Sequence, residues 1–130
     1  MALDAVAIRA LETELKILEG GRVDKVHQPE RDEIVIAVRT YDSSYKLLIS
    51  ASPAHPRLHI TNHSKKNPKT APLFCMLLRK HLSSGRIKAI EQVGFERVIK
   101  ITIESYDELG DYTEKYLYIE IMGRHSNIIL

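Results

Sequence analysis

Short apolar runs separated by turn-forming residues fill most of the chain, and this punctuation restricts its fold more than any other feature. Ile34-Val35-Ile36-Ala37-Val38 lies within Glu33 to Arg39, and Leu47-Leu48-Ile49 lies within Tyr45 to Ser50. Between them, Tyr41-Asp42-Ser43-Ser44 has the chemistry of a hairpin turn. Runs this short read as strands. Arg22 to Gln28 is another, ended by Pro29 and the polar Glu30-Arg31-Asp32. Past Pro53 and Pro56, Arg57-Leu58-His59-Ile60-Thr61 alternates as a half-exposed strand does. Ile87 to Val93, Val98 to Glu104 and Lys115 to Met122 continue the series, and one more strand begins at Asn127. Gly94-Phe95-Glu96-Arg97 and Tyr106 to Asp111 are the joining turns.

Two stretches have helical spacing instead. Asp4 can cap a helix running to about Leu18, with Ile8, Leu11, Leu15 and Leu18 forming one apolar stripe. Gly20-Gly21 stops it, because glycine tolerates the left-handed geometry past a helix end. The second helix, Leu73 to Leu82, follows Thr70 and Pro72 and ends at Ser83-Ser84-Gly85. It is apolar up to Arg79-Lys80-His81, which predicts a deeply packed helix with a cationic C-terminal end. The helix dipole favours such cations by roughly 0.3–1 kcal/mol each, so stability alone could explain them. Two helices among seven or eight antiparallel strands predict an α+β domain, an antiparallel β-sandwich with the helices at one side or end. No internal repeat, low-complexity segment or interdomain linker stands out.

A chain of 130 residues forms one domain with a real core, and 44% hydrophobic with 28% charged residues is a globular composition. Cys75 is the only cysteine and cannot form an internal disulfide; its apolar helix implies a buried, inert thiol. Asp4, Arg9 and Glu12 interrupt the N-terminal stretch, so it is neither a secretory signal nor a membrane span, and the chain reads as cytoplasmic. Its final residues, Ile128-Ile129-Leu130, are apolar, which reads as an N-terminal fragment of a longer protein. The net charge of +2 is unevenly spread. Between Arg57 and Lys100, ten Lys and Arg face only Glu91 and Glu96, a balance of +8, while the remainder carries −6. This asymmetry predicts a polyanion-facing surface set into an acidic molecule. Lys65, Lys66 and Lys69 lie in the polar loop Asn62 to Ala71 within that segment.

Catalytic and metal chemistry find little support. His55, His59 and His63 have helical spacing in what reads as a strand, so they would not converge on a metal. Cys75 and His81 are too far apart on one helix to form a nucleophile pair. Asp107, Glu108 and Asp111 lack a calcium-loop pattern, and there is neither a phosphate-binding loop nor a dinucleotide fingerprint. The expectation is therefore a non-enzymatic domain with no cofactor and no metal. Between the last two strands lies a polar crossing, Gly123-Arg124-His125-Ser126-Asn127. A hairpin uses Gly, Asn and Ser, but it does not require Arg124 and His125.

The string Glu120-Ile121-Met122-Gly123-Arg124-His125-Ser126-Asn127-Ile128-Ile129-Leu130 resembles the signature of the NFACT-N domain of the RqcH/NEMF family. Met1-Ala2-Leu3-Asp4, Phe74 to Leu82 and Gln92-Val93-Gly94-Phe95-Glu96-Arg97 agree with it in order along the chain. The resemblance implies a fold like the N-terminal domain of formamidopyrimidine-DNA glycosylases. Those enzymes use an N-terminal proline as nucleophile; Ala2-Leu3-Asp4 follows Met1 here, so base excision is not expected. The resemblance also implies a ribosome quality-control factor. Such a factor binds stalled large ribosomal subunits carrying peptidyl-tRNA and recruits tRNA for untemplated C-terminal alanine tailing.

In the family an acidic–Arg dyad is associated with RNA recognition, and it falls on Glu96 and Arg97, with Glu where Asp is usual. The RNA-binding candidates are thus Glu96, Arg97, Arg79, Lys80, Arg124, His125, Ser126 and Asn127. Bacterial members also bear the name fibronectin-binding protein A, which makes a fibronectin-binding surface adhesin the alternative.

Overall fold

The computed structural model describes residues 11–51, 57–61, 72–93, 98–106, 109–120 and 127–129, with backbone alone at Arg57 and 127–129. A helix, α1, occupies residues 11–15 of this part and tightens into a 3₁₀ turn over Lys16–Leu18. Four strands follow: β1 Arg22–Glu30, β2 Glu33–Arg39, β3 Ser44–Ser50 and β4 Arg57–Thr61. Helix α2 spans Leu73–Leu82. Four further strands complete the order: β5 Arg86–Gln92, β6 Val98–Tyr106, β7 Tyr112–Glu120 and β8 Asn127–Ile129.

The α+β, antiparallel expectation holds, with one correction. The strands form one continuous sheet, in the order β4-β3-β2-β1-β5-β6-β7-β8, and not two separate sheets. Two four-stranded meanders meet where Arg22 pairs with Arg86. Their inward faces, with Leu15 and Leu18 from the first helix and Cys75, Leu78 and Leu82 from α2, share one core cluster. Each fully buried aliphatic side chain in it contributes about 1.5–3 kcal/mol.

The joint exposes an internal repeat that the sequence reading did not register. Leu18-Glu19-Gly20-Gly21-Arg22-Val23 and Leu82-Ser83-Ser84-Gly85-Arg86-Ile87 stand in equivalent places. Gly20 N donates to Ile87 O (2.7 Å), and its counterpart Ser84 N donates to Val23 O (2.9 Å). Val23 N to Gly85 O and Ile87 N to Gly21 O are both 2.8 Å. Gly21 N to Leu18 O and Gly85 N to Leu82 O, both 3.0 Å, close the two helix ends alike. The register shifts past Val23 in β1 and past Ile87 in β5, leaving matching bulges at Asp24 and Lys88. Gly21 and Gly85 have no room for a side chain: a Cβ would lie 2.5 Å from Val38 Cγ1 and 2.5 Å from Ile103 Cγ2, respectively. Val38 and Ile103 are themselves counterparts.

Past the joint β1 and β5 diverge, and each lays its free edge on the helix of the other half. On β1, Val26 O accepts from Arg79 Nε at 2.8 Å and from the buried Cys75 thiol at 3.5 Å. At the equivalent place on β5, Ile90 N donates to Glu19 Oε2 (2.8 Å) and Ile90 O accepts from Lys16 Nζ (3.3 Å). Gln92 N donates to the buried carboxylate of Glu12. These side chains replace the missing strand, so the open edges do not waste backbone hydrogen-bonding groups.

Three local expectations change. Pro29 lies inside β1, at a register irregularity between His27 and Glu30 where the lost N–H is tolerated. β7 begins three residues earlier than expected, because Tyr112, Thr113 and Glu114 pair with Tyr106, Ser105 and Glu104. Helix α2 is not deeply packed: it buries Cys75, Leu78 and Leu82, but Leu73 is 81% exposed, and Met76 and Leu77 face outward with it.

Candidate nucleic-acid interface

Both motif stretches expected to bind RNA are anchored at one end of the sheet. β5 gives way to β6 where Val93 N donates to Val98 O (3.0 Å), bracketing 94–97. Val98 is paired with Glu120 at the end of β7, and Glu120 is paired with Asn127 at the start of β8, bracketing 121–126. The flanks of two stretches some twenty-five residues apart in sequence are therefore hydrogen-bonded neighbours. Glu96, Arg97, Arg124, His125 and Ser126 themselves lie outside the described residues, and of Asn127 only the backbone pairing is described.

Arg79 and Lys80 are placed elsewhere. Both are exposed on the last turn of α2, and Arg79 reaches Val26 of β1, on the far side of the joint from the end of β5. Its Nη2 approaches His27 Nδ1 at 3.4 Å. Burial, and then the charges of Arg79, Lys25 and Lys46, hold the His27 imidazole below its usual pKa. Arg79 therefore has a structural task, tying α2 to the edge of β1, that its position in a basic run did not disclose. Lys80 is exposed on the adjoining helix surface. Of the expected basic segment, Lys65, Lys66, Lys69 and Arg97 lie outside the described residues. Arg86, Lys88 and Lys100 project from the outer face of β5 and β6.

That outer face also carries Tyr106, Tyr112, Tyr116 and Tyr118, which no motif in the sequence marks out. Alternation accounts for their position, since Leu117 and Ile119 take the inward places of β7. Lys88 Nζ is paired to Glu114 Oε2 at 2.7 Å, and the Tyr112 and Tyr116 hydroxyls donate to the same carboxylate at 2.6 and 2.8 Å. Hydrogen bonds from Lys88 first, then Tyr112 and Tyr116, hold Glu114 down to about 2. The bond to Glu114 in turn leads the causes that push Tyr112 up to about 12. Lys100 Nζ lies 4.9 Å from the centre of the Tyr116 ring, within cation–π range. Cations and open ring surfaces on one sheet face suit phosphate contact and base stacking.

Among the described residues, Glu30, Asp32 and Glu33 are the one group close enough to hold a metal, and exposed acids commonly cluster without one. No described helix is long and apolar enough to cross a membrane.

The family model of the NFACT N-terminal and middle domains matches residues 4–130. The chain belongs to this family. It is 46% identical to the Rqc2 homolog RqcH of Bacillus subtilis over all of this chain and 23% of that protein. To the human ribosome quality control complex subunit NEMF it is 29% identical, over 96% of this chain and 11% of that one. The chain thus spans about a quarter or less of these relatives. Among solved structures, the N-terminal part of the fibronectin/fibrinogen-binding protein of Streptococcus suis superposes with a TM-score of 0.95 at 39% identity, covering 98% of this chain and 48% of that one. The N-terminal domain of the fibronectin-binding protein PavA of Streptococcus pneumoniae gives 0.93 at 38% identity, covering 97% and 48%.

Proposed function

We propose that this chain is a non-catalytic RNA-binding domain, contributing tRNA and large-subunit contacts to a cytoplasmic factor that acts on stalled ribosomal subunits carrying peptidyl-tRNA. The whole factor would recruit tRNA for untemplated C-terminal tailing, and the ribosome would perform the peptide chemistry. The observation that carries this reading is the convergence of the flanks of 94–97 and 121–126 at Val98, Glu120 and Asn127. The described flanks of the stretch holding Glu96 and Arg97 and of the stretch holding Arg124 to Ser126 thus share one sheet end. An Arg fork with neighbouring hydrogen-bonding side chains is suited to phosphate and base edges. The likeness to glycosylase N-terminal domains belongs to the same reading, as an inherited fold without the nucleophile.

The names of the solved relatives favour a second reading, a surface adhesin that binds fibronectin. Titrating the chain with tRNA at low and at physiological salt, and in parallel with fibronectin, separates the two. RNA binding should weaken steeply with salt, because each neutralised phosphate releases counterions. A flat salt dependence, or micromolar fibronectin affinity without RNA affinity, favours the adhesin.

A further inference from the structure

The joint between the two halves carries a row of like charges. Arg39, Arg22 and Arg86 are successive cross-strand partners on the outer face, and all three are exposed. Like charges directly opposite one another destabilise a sheet, and an anion lying across them reverses the sign of their contribution. Beside Arg22 and Arg86 opens a cleft of about 370 Å³, walled also by Ser84, Glu104, Tyr106 and Tyr112. That volume is in the range of small-ligand sites.

The internal repeat identifies what is particular to this cleft. Ser84 holds a left-handed backbone, φ 65°, which side chains other than glycine seldom adopt; its counterpart Gly20 has φ 85°. Glycine fills that place in the first half, and a hydroxyl-bearing residue fills it here, in the wall of the cleft. Strained backbone of this kind gathers at functional sites. Glu104, the partner of Arg86 on β6 and the counterpart of Arg39 in the first half, lies 3.0 Å from the Tyr112 hydroxyl, whose one proton it shares with the closer Glu114. Tyr106 packs against Tyr112 at 6.1 Å between centroids and 75° between planes, yet remains 74% exposed.

The geometry points to a binding site for one unpaired nucleotide of an RNA strand, separate from the 94–97 and 121–126 sheet end. The guanidinium groups of Arg22 and Arg86 take the phosphate, and the exposed Tyr106 ring stacks on the base. Glu104 accepts from a base amino or imino hydrogen, and the Ser84 hydroxyl meets the sugar or phosphate. The carboxylate argues against a site for a simple anion, since it would repel one without offering compensation. A nucleotide carries both the anion and the donors. This inference rests on the RNA-binding reading and names a second contact for it.

The test uses the whole 130-residue chain, with uridine and guanosine 5′-monophosphates, inorganic phosphate and a labelled single-stranded RNA decamer as probes. Nucleotide should shift the amide signals of Ser84, Arg86 and Glu104 saturably, and phosphate should do so at least tenfold more weakly. Arg22→Gln with Arg86→Gln should lower decamer affinity at least tenfold with the melting temperature kept. Ser84→Gly should raise the melting temperature while weakening nucleotide binding, which a purely structural residue would not do. Unchanged decamer affinity in the double arginine variant overturns the cleft and leaves the RNA reading standing. Equal binding of phosphate and nucleotide overturns the nucleotide assignment. No RNA affinity in the unaltered chain at low salt overturns both.

Discussion

Replacing Arg79 with alanine separates the two roles that its sequence context and its contacts suggest. The change removes the Nε donor from Val26 O, leaving that carbonyl with the weaker Cys75 thiol at 3.5 Å. Hydrogen bonds to charged groups contribute about 1.5–3 kcal/mol, and the exposure of the Arg79 side chain places this one at or below the lower end. A loss of about 1–1.5 kcal/mol, or roughly 3–8 °C in melting temperature, is therefore expected. Lys80→Ala, one residue on and also exposed, should stay within about 0.5 kcal/mol of the parent. His27 provides an independent readout, because Arg79 is the second cause of its lowered pKa after burial.

A depressed imidazole pKa means that the folded state binds fewer protons than the unfolded state. Its contribution to stability is present above the unfolded value near 6.5 and is lost as pH falls through the folded value. Arg79→Ala should raise the His27 pKa toward its usual value and so narrow that window. Urea unfolding at pH 7.5 and pH 5.5, with an NMR titration of His27, reads both effects. Unchanged stability together with an unchanged His27 titration would refute the account of α2 tied to β1 through Arg79.

Gly21→Ala and Gly85→Ala should each cost about 1–3 kcal/mol, by overpacking against Val38 and Leu18 O or against Ile103 and Leu82 O. Gly20→Ala, with open space around it but φ at 85°, should cost only about 1–2 kcal/mol from backbone conformation, and thermal melts of the three variants test the order. Glu114, held down to about 2, is a depressed carboxylate, so its contribution is present above the unfolded value near 4.5 and lost as pH falls toward 2. Glu114→Gln should flatten acid unfolding across that range, and a circular-dichroism pH titration compares the two.

Most elements were legible because their periodicity coincides with burial. Glu33–Arg39, Arg57–Thr61 and Leu73–Leu82 have the bounds that their apolar runs and flanking turns indicate. Tyr112 to Glu114 falls between the expected turn and the expected strand because it and its partners on β6 are polar, and pairing is not visible along one strand. The repeat escaped notice because unequal connections change its spacing, from 64 residues between Leu18 and Leu82 to 70 between Leu47 and Leu117. Glu12 reads in the sequence only as a charge interrupting the N-terminal stretch and Glu19 belongs to no motif, whereas both accept from the open edge of β5, with partners 80 and 71 residues away. The same blindness to long-range partners made Arg79 look like one cation in a basic run. The common sheet end of Val93, Val98, Glu120 and Asn127, which flank the two motif stretches, was likewise invisible, since it follows from strand pairing and from no local pattern.

The most direct test is tRNA affinity, at low salt, of the chain carrying Glu96→Ala with Arg97→Ala. The joining segment can lose both charges at small cost if they face the ligand, whereas Arg97 in contact with RNA contributes a charge-assisted hydrogen bond of about 1.5–3 kcal/mol. The double variant should keep the parent melting temperature and bind tRNA at least tenfold more weakly, and Glu96→Asp should bind as the parent does. Parent-like tRNA affinity in the folded double variant would contradict the placement of the RNA contact at this end of the sheet.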